Sequence, residues 1–407
     1  MGSLPSTTTG SGLARDEETG RAGGRPDSAA RTPSHGGEAR GGSEAVIGAA
    51  STVAGAPPRI AGLTRLRLLF IGWVVIYHLE LTLGALRGVP VAEAVVRKGW
   101  LGVDGFFLLS GFALWLGYHT RPPWGWRGHA RFLARRLARL YPLHALALLA
   151  LAALVGLATL AGVQVNDPAR FGMRDFWLQA LLINTWETTD ILAWNYPSWA
   201  LSAEWAGYLA FPVLLGAVLA APRGILLALP PLALAALLAL GARDPGAGLN
   251  LTVHLGLLRF APEFVLGLAV GRLCTEEWRS GAAAAPLALG VAALCLAAGI
   301  VLGVDAIAVA GLAALIVGVY FRGAVVAAAS SPRDLAFRLG EASYGVYLCW
   351  IFVEATLVLL LRVAEPSQPA RLALMALALG VNLAAGWLAW RFIEVPANRW
   401  LLARLSG

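Results

Sequence analysis

Several things are scarce in this chain of 407 residues, and each scarcity excludes something. Only 14% of the residues are charged against 58% apolar, with a mean hydropathy of +0.67, which excludes a soluble globular domain. Apolar and polar residues do not alternate at a period of two, which excludes an outer-membrane β-barrel. The three cysteines, Cys274, Cys295 and Cys349, lie in or beside apolar runs without metal-type spacing, so no disulfide framework and no metal site is expected. Large apolar side chains are almost missing before residue 60, and no signal-peptide core is found there, so the first transmembrane helix is expected to direct insertion. No internal repeat is evident beyond a bias toward Ala, Leu and Gly.

What is abundant is spanning-length apolar sequence, such as Ser280–Val304 and Leu372–Trp390. About ten helices are predicted, near 66–84, 101–119, 140–162, 198–220, 224–242, 251–271, 284–303, 305–321, 342–362 and 372–391. The fold class is therefore all-α, a polytopic transmembrane helical bundle with a disordered N-terminal tail. Residues 1–60 form that cytoplasmic tail, too polar to offset their ordering entropy. Residues 61–399 form the membrane domain, and 400–407 a short cytoplasmic C-terminus.

The net charge of +8 raises nucleic-acid binding as an option, but its distribution argues for a membrane topology. With the N-terminus inside, eighteen arginines from Arg59 onward fall in cytoplasmic segments and eight basic residues in outer ones. This bias is the positive-inside pattern, with both termini cytoplasmic and the chain in the cell membrane. Membrane lipids are partners and nucleic acid is not.

The most informative stretch is L-T-R-L-R-L-L-F-I-G-W-V-V-I-Y-H, residues 63–78. Arg67 stands eleven residues before His78, about three helical turns, so the two share a face about 16 Å apart. An ionisable group inside a span is costly and marks a functional candidate. A polar anchor at the edge and a proton-transfer group at depth suit a long ligand laid along the helix. The bland alternative is a snorkelling arginine and a packing histidine.

Other constellations follow. G-W-L-G-V-D-G-F-F-L-L-S-G-F, Gly99–Phe112, carries Asp104 and Ser110 among small residues that permit close approach of a helix or a ligand. Asp104 either faces water, pairs with a buried partner or handles an acceptor. Residues 119–142 hold six arginines and no acid. Arg131, Arg135 and Arg139 repeat every four residues, and Arg136 and Arg139 pair at three. An anionic ligand such as phosphate would relieve their repulsion, as would lipid headgroups. In N-Y-P-S-W-A-L-S-A-E-W, Glu204 lies too deep for casual exposure, with Ser202 on a different face. Glu204 is a candidate to position a substrate hydroxyl, to orient His78 or to neutralise an arginine. Arg259 and Glu263, four apart, are expected to be a structural ion pair, and His144 and His254 to be packing residues.

In this order the motifs resemble the acyltransferase 3 family of bacterial integral-membrane O-acyltransferases, from about Leu63 to Arg399. They are L-x-x-L-R with its histidine, G-V-D-x-F-F-x-L-S-G-F, R-x-x-R-L-Y-P at 136–142, W-x-L-S-x-E at 199–204, E-F-x-x-G at 263–267, S-Y-x-x-Y-L at 343–348 and I-E-x-P-x-x-R at 393–399. The resemblance implies transfer of an acyl group, usually acetyl, from a cytoplasmic acyl-CoA to a hydroxyl, with no bound cofactor. The implied acceptor is a cell-envelope glycan or lipid-linked sugar, or else a macrolide or other secondary metabolite. The family histidine matches His78, and the family arginines match Arg67, Arg136 and Arg139, the expected acyl-CoA ligands. Two positions depart from the pattern: Ala200 stands where Ser or Thr is common, and Arg65 where a small or polar residue is common. Sixteen residues follow Arg391, so the extra hydrolase-like domain of some relatives is not expected.

A neutral imidazole suits the deprotonation of a hydroxyl attacking a thioester, which makes His78 the candidate base and Glu204 its catalytic companion. An acyl-histidine intermediate is the alternative route. A proton-coupled transporter using His78, Asp104 and Glu204 is the reading from another class, but the paired broken helices of related halves are not found.

Overall fold

The computed structural model describes residues 60–163, 167–278, 281–326 and 334–406. The expected disorder of residues 1–59 lies outside them. Every regular element among the described residues is helical. The chain begins with α1 (Ala61–Leu83), an apolar run that ends at Gly84, whose left-handed φ of 58° lets its amide bond Glu80 O at 2.8 Å. A short α2 (Pro90–Arg97) with proline in its first turn leads to α3 (Leu101–Tyr118). Then come α4 (Gly125–Leu160), α5 (Met173–Ala180), α6 (Ser198–Ala220), α7 (Arg223–Gly241) and α8 (Gly256–Arg272). The remainder is α9 (Gly281–Leu302), α10 (Asp305–Val326), α11 (Leu335–Glu341), α12 (Ser343–Val363), α13 (Gln368–Ala389) and α14 (Val395–Ser406). Wider π-helical turns follow α8 at Leu273–Glu277 and join α13 to α14 at Trp390–Glu394.

Nine helical segments among the described residues are long and apolar enough to cross a bilayer, with Gln368–Leu405 taken as one. The sixth expected span is α8, which is shorter at 17 residues and starts at Gly256 rather than 251. It packs against α3, α6 and α7 in the interior. There a Cβ on Gly111 of α3 would collide with Phe264 O, and one on Gly267 of α8 with Leu108 O. Two facing glycines thus bring the backbones of α3 and α8 together. The third span starts earlier than expected: α4 has 36 residues, so the helix carrying the arginines before residue 140 is continuous with the span. Its length of about 54 Å exceeds the roughly 30 Å hydrocarbon layer.

The periphery carries many large apolar side chains. Leu157, Leu160, Leu294, Val301 and Val363 all point outward, a surface that water penalises and lipid accepts. The protein is a multi-pass membrane bundle.

Candidate active site

Two helices lay out the site. Along α1 the contacts run in one parallel register: Arg67 with Glu341 at the end of α11, then His78 with Trp350 and Thr82 with Glu354 on α12. His78 is half-buried, and its ring stacks on the Trp350 indole at 4.2 Å between centroids and 19° between planes. Tyr196, from the loop before α6, meets the imidazole at 6.3 Å and the indole edge-on at 5.1 Å. No hydrogen bond engages the imidazole among the described residues, so its nitrogens are uncommitted. One turn further, the Tyr196 hydroxyl donates to Glu354 Oε2 at 2.8 Å, and Thr82 Oγ1 lies 3.4 Å from Glu354 Oε1. Burial, reinforced by the negative charge of Glu354, pushes the Tyr196 phenol above its ordinary value, so it stays a donor.

The other end of the register holds the arginines. Arg67 Nη1 lies 3.8 Å from Glu341 Oε1, and Arg139 Nε 3.8 Å from Glu394 Oε1. The two guanidinium groups sense each other and the carboxylates of Glu341 and Glu204. Arg136 rests over the rings of Phe132, Tyr118 and Tyr208 at 5.2, 5.6 and 5.7 Å, and donates to the Tyr118 hydroxyl at 3.3 Å. The four-residue stripe does not act as one face. Arg131 and Arg135 are exposed, whereas Arg136 and Arg139 turn toward the bundle. The structure therefore brings Arg67, Arg136 and Arg139 together near the start of α1, with His78 in its last turns.

The family model described as "Acyltransferase domain" matches residues 60–391. The chain belongs to the acyltransferase 3 family. A curated relative, Acyltransferase MdmB of Streptomyces mycarofaciens, is 35% identical over 127 residues, which is 29% of this chain and 29% of that protein. No solved structure matches.

Of this acyltransferase's candidate residues, Asp104 and His144 take readings the sequence offered, while Arg259 and His254 depart from theirs. Asp104 does not face water: it and Arg259 are both 0% exposed, paired at 2.5 and 3.1 Å. Arg259 also donates to Leu251 O and Trp100 O at 3.0 and 3.1 Å. The expected Arg259–Glu263 pair is thus displaced, because the α3–α8 crossing presents a better-aligned carboxylate; Glu263 lies beside both. His254 precedes α8 instead of lying inside a span, with side-chain exposure of 52%, and bonds Glu187 at 3.0 Å. Hydrogen bonding from His254 holds the Glu187 carboxyl below its usual range. His144 is buried and bonds Gln179 O at 3.0 Å, a packing role.

Ser110 donates to Glu204 Oε1 at 2.5 Å, and Tyr208 donates to the same oxygen at 2.6 Å. With Arg67 and Arg139 as electrostatic neighbours, these bonds favour the arginine-neutralising role over orientation of His78. Ser202 is fully buried and accepts the Thr185 amide at 3.1 Å, tying the loop before α6 to that helix. Arg65, which departs from the family pattern, bonds Asp334 at the start of α11. Sequence reading missed Tyr196, Trp350, Glu354 and Glu341. Glu354 had a signal, as the lone carboxylate inside the apolar run of α12.

Proposed function

We propose that this membrane acyltransferase takes its acyl group, acetyl in the simplest case, from acyl-CoA and delivers it to a hydroxyl of a carbohydrate or glycosylated acceptor. One observation carries the reading. An uncommitted imidazole sits about 16 Å along α1 from a guanidinium cluster, a separation matched to a phosphate-bearing donor with a long thioester arm. In this reading Arg67, Arg136 and Arg139 hold the CoA phosphates, and guanidinium forks suit them. The charge bias supports a cytoplasmic placement of this end, on the side where acyl-CoA is found.

At His78 the acceptor oxygen attacks the thioester carbonyl while an imidazole nitrogen takes the hydroxyl proton. The C–O bond forms, the C–S bond breaks, and the thiolate recovers the proton from the imidazolium to leave as free CoA. Trp350 fixes the ring plane by stacking. Glu204, with Ser110 and Tyr208, balances the charge of the arginines so that the empty guanidinium pair does not repel itself apart.

The experiment is thioester turnover by purified protein supplied with acetyl-CoA and a panel of glycoside and macrolide acceptors. His78→Ala should insert and fold normally but lose transfer by ~10²–10⁴-fold, the usual contribution of a general base. Transfer above about a tenth of wild type removes His78 as the base. Absence of any CoA release with every acceptor, alongside intact donor binding, removes the acyl-CoA reading of the acceptor step.

A further inference from the structure

The arginines assigned to the donor already face carboxylates, and Arg139 holds Glu394 loosely. Both contacts, Arg139–Glu394 and Arg67–Glu341, measure 3.8 Å, beyond hydrogen-bond length. Glu394 is only 5% exposed, yet its Oε2 has no hydrogen-bond partner among the described residues. A buried carboxylate oxygen left that way is poorly stabilised where it stands. Arg136 shows the complementary defect, a buried Nε without a partner among the described residues. Donors and acceptors at this end are mismatched with each other, which is what a site built for another anion looks like. The backbone adds a second observation. Glu394 is the last residue of the π-helical turn Trp390–Glu394, and such turns recur at functional positions. One inserted residue rotates the following side chains by about 100°, so the turn is what aims Glu394 at Arg139.

We infer that Glu394 is an exchangeable counter-ion of the donor site, neutralising Arg139 without donor and yielding the guanidinium to a donor phosphate. The inference rests on the acyl-CoA reading of the arginine cluster. Its consequence is kinetic as well as energetic. A carboxylate that competes for Arg139 weakens donor affinity, and its return helps to expel spent CoA.

The test uses full-length protein in phosphatidylcholine nanodiscs, titrated calorimetrically with CoA and with pantetheine, which lacks the phosphates. Glu394→Gln should bind CoA about fivefold tighter, the scale of one partly screened charge pair, and pantetheine unchanged. Glu394→Asp, which keeps the charge but shortens its reach, should also bind CoA more tightly, and it serves if the glutamine variant folds poorly. CoA affinity equal to or weaker than wild type in both variants overturns the exchange. Arg139→Ala separates the two ideas: if it weakens CoA binding while the Glu394 variants change nothing, the donor site stands and the exchange falls. If Arg67→Ala, Arg136→Ala and Arg139→Ala all bind CoA as wild type does, the donor reading falls and takes the exchange with it. Repetition in phosphatidylglycerol nanodiscs identifies the anion. The gain should persist there; a gain that appears only when lipid headgroups carry charge assigns the arginines to lipid and overturns the proposal.

Discussion

Two arginine–carboxylate systems lie inside this bundle, and they are built differently. Between α3 and α8, Arg259 and Asp104 are fully buried, doubly bonded, and completed by two backbone carbonyls that take further guanidinium protons. At the far end of α1, Arg67 and Arg139 stand 3.8 Å from their carboxylates and keep partial exposure, 23% and 37%. The first arrangement bonds both oxygens of Asp104 and all three guanidinium nitrogens of Arg259, although the buried Glu263 beside it has no hydrogen-bond partner among the described residues. The second leaves hydrogen-bonding capacity unspent at Glu394 Oε2 and at Arg136 Nε, neither of which has a partner among the described residues. Geometry thus separates a structural ion pair from a binding site, although both consist of the same two residue types in an apolar setting.

The comparison breaks most visibly through stability. Arg259→Ala should destabilise the fold by about 3–5 kcal/mol, since it strands a buried Asp104. The joint Asp104→Leu, Arg259→Met change should recover most of that loss, because apolar groups replace both charges. Thermal unfolding of the purified variants checks both, and a single mutant as stable as wild type would place water or another cation at Asp104. Arg139→Ala should instead raise the Kd for CoA about tenfold, with a stability loss smaller than that of Arg259→Ala because its guanidinium is partly exposed and its contact with Glu394 is long. A large stability loss there would make it another structural pair. Glu204→Gln probes the boundary between the two systems. Removing a charge near Arg67 and Arg139 should tighten CoA binding about twofold to threefold, the scale of a screened pair, with folding preserved. A rise in acceptor KM with unchanged donor affinity would instead place Glu204 on the acceptor path.

The smallest expected effect belongs to the exposed Glu187–His254 contact. Its carboxyl is held below the ordinary value of about 4.3, so the contact contributes stability above that pH and loses it as pH falls through the lowered value. With both side chains about half exposed, Glu187→Gln should lower stability at pH 7 by less than about 0.5 kcal/mol. The difference should vanish in melts near pH 3, and a gap that widened on acidification would reverse the sign of this linkage.

Composition and spacing by themselves determined that the chain is a helical membrane bundle, because length and hydropathy leave a spanning helix little alternative in lipid. They also determined that Arg67 and His78 share a face, since helical periodicity is a local property. Facing direction was another matter. The stripe Arg131, Arg135 and Arg139 reads as one face, yet only Arg136 and Arg139 turn inward, because α6, α12 and α14 pack on that part of α4. The partner of Arg259 is 155 positions away rather than four, on a helix whose approach depends on Gly111 meeting Gly267. Tyr196, Trp350 and Glu354 join His78 for the same reason: a loop and α12 converge on α1 from distant parts of the chain. Spacing fixes which residues of one helix look the same way. Which residues of other helices look back is decided by packing between segments, and no local pattern encodes it.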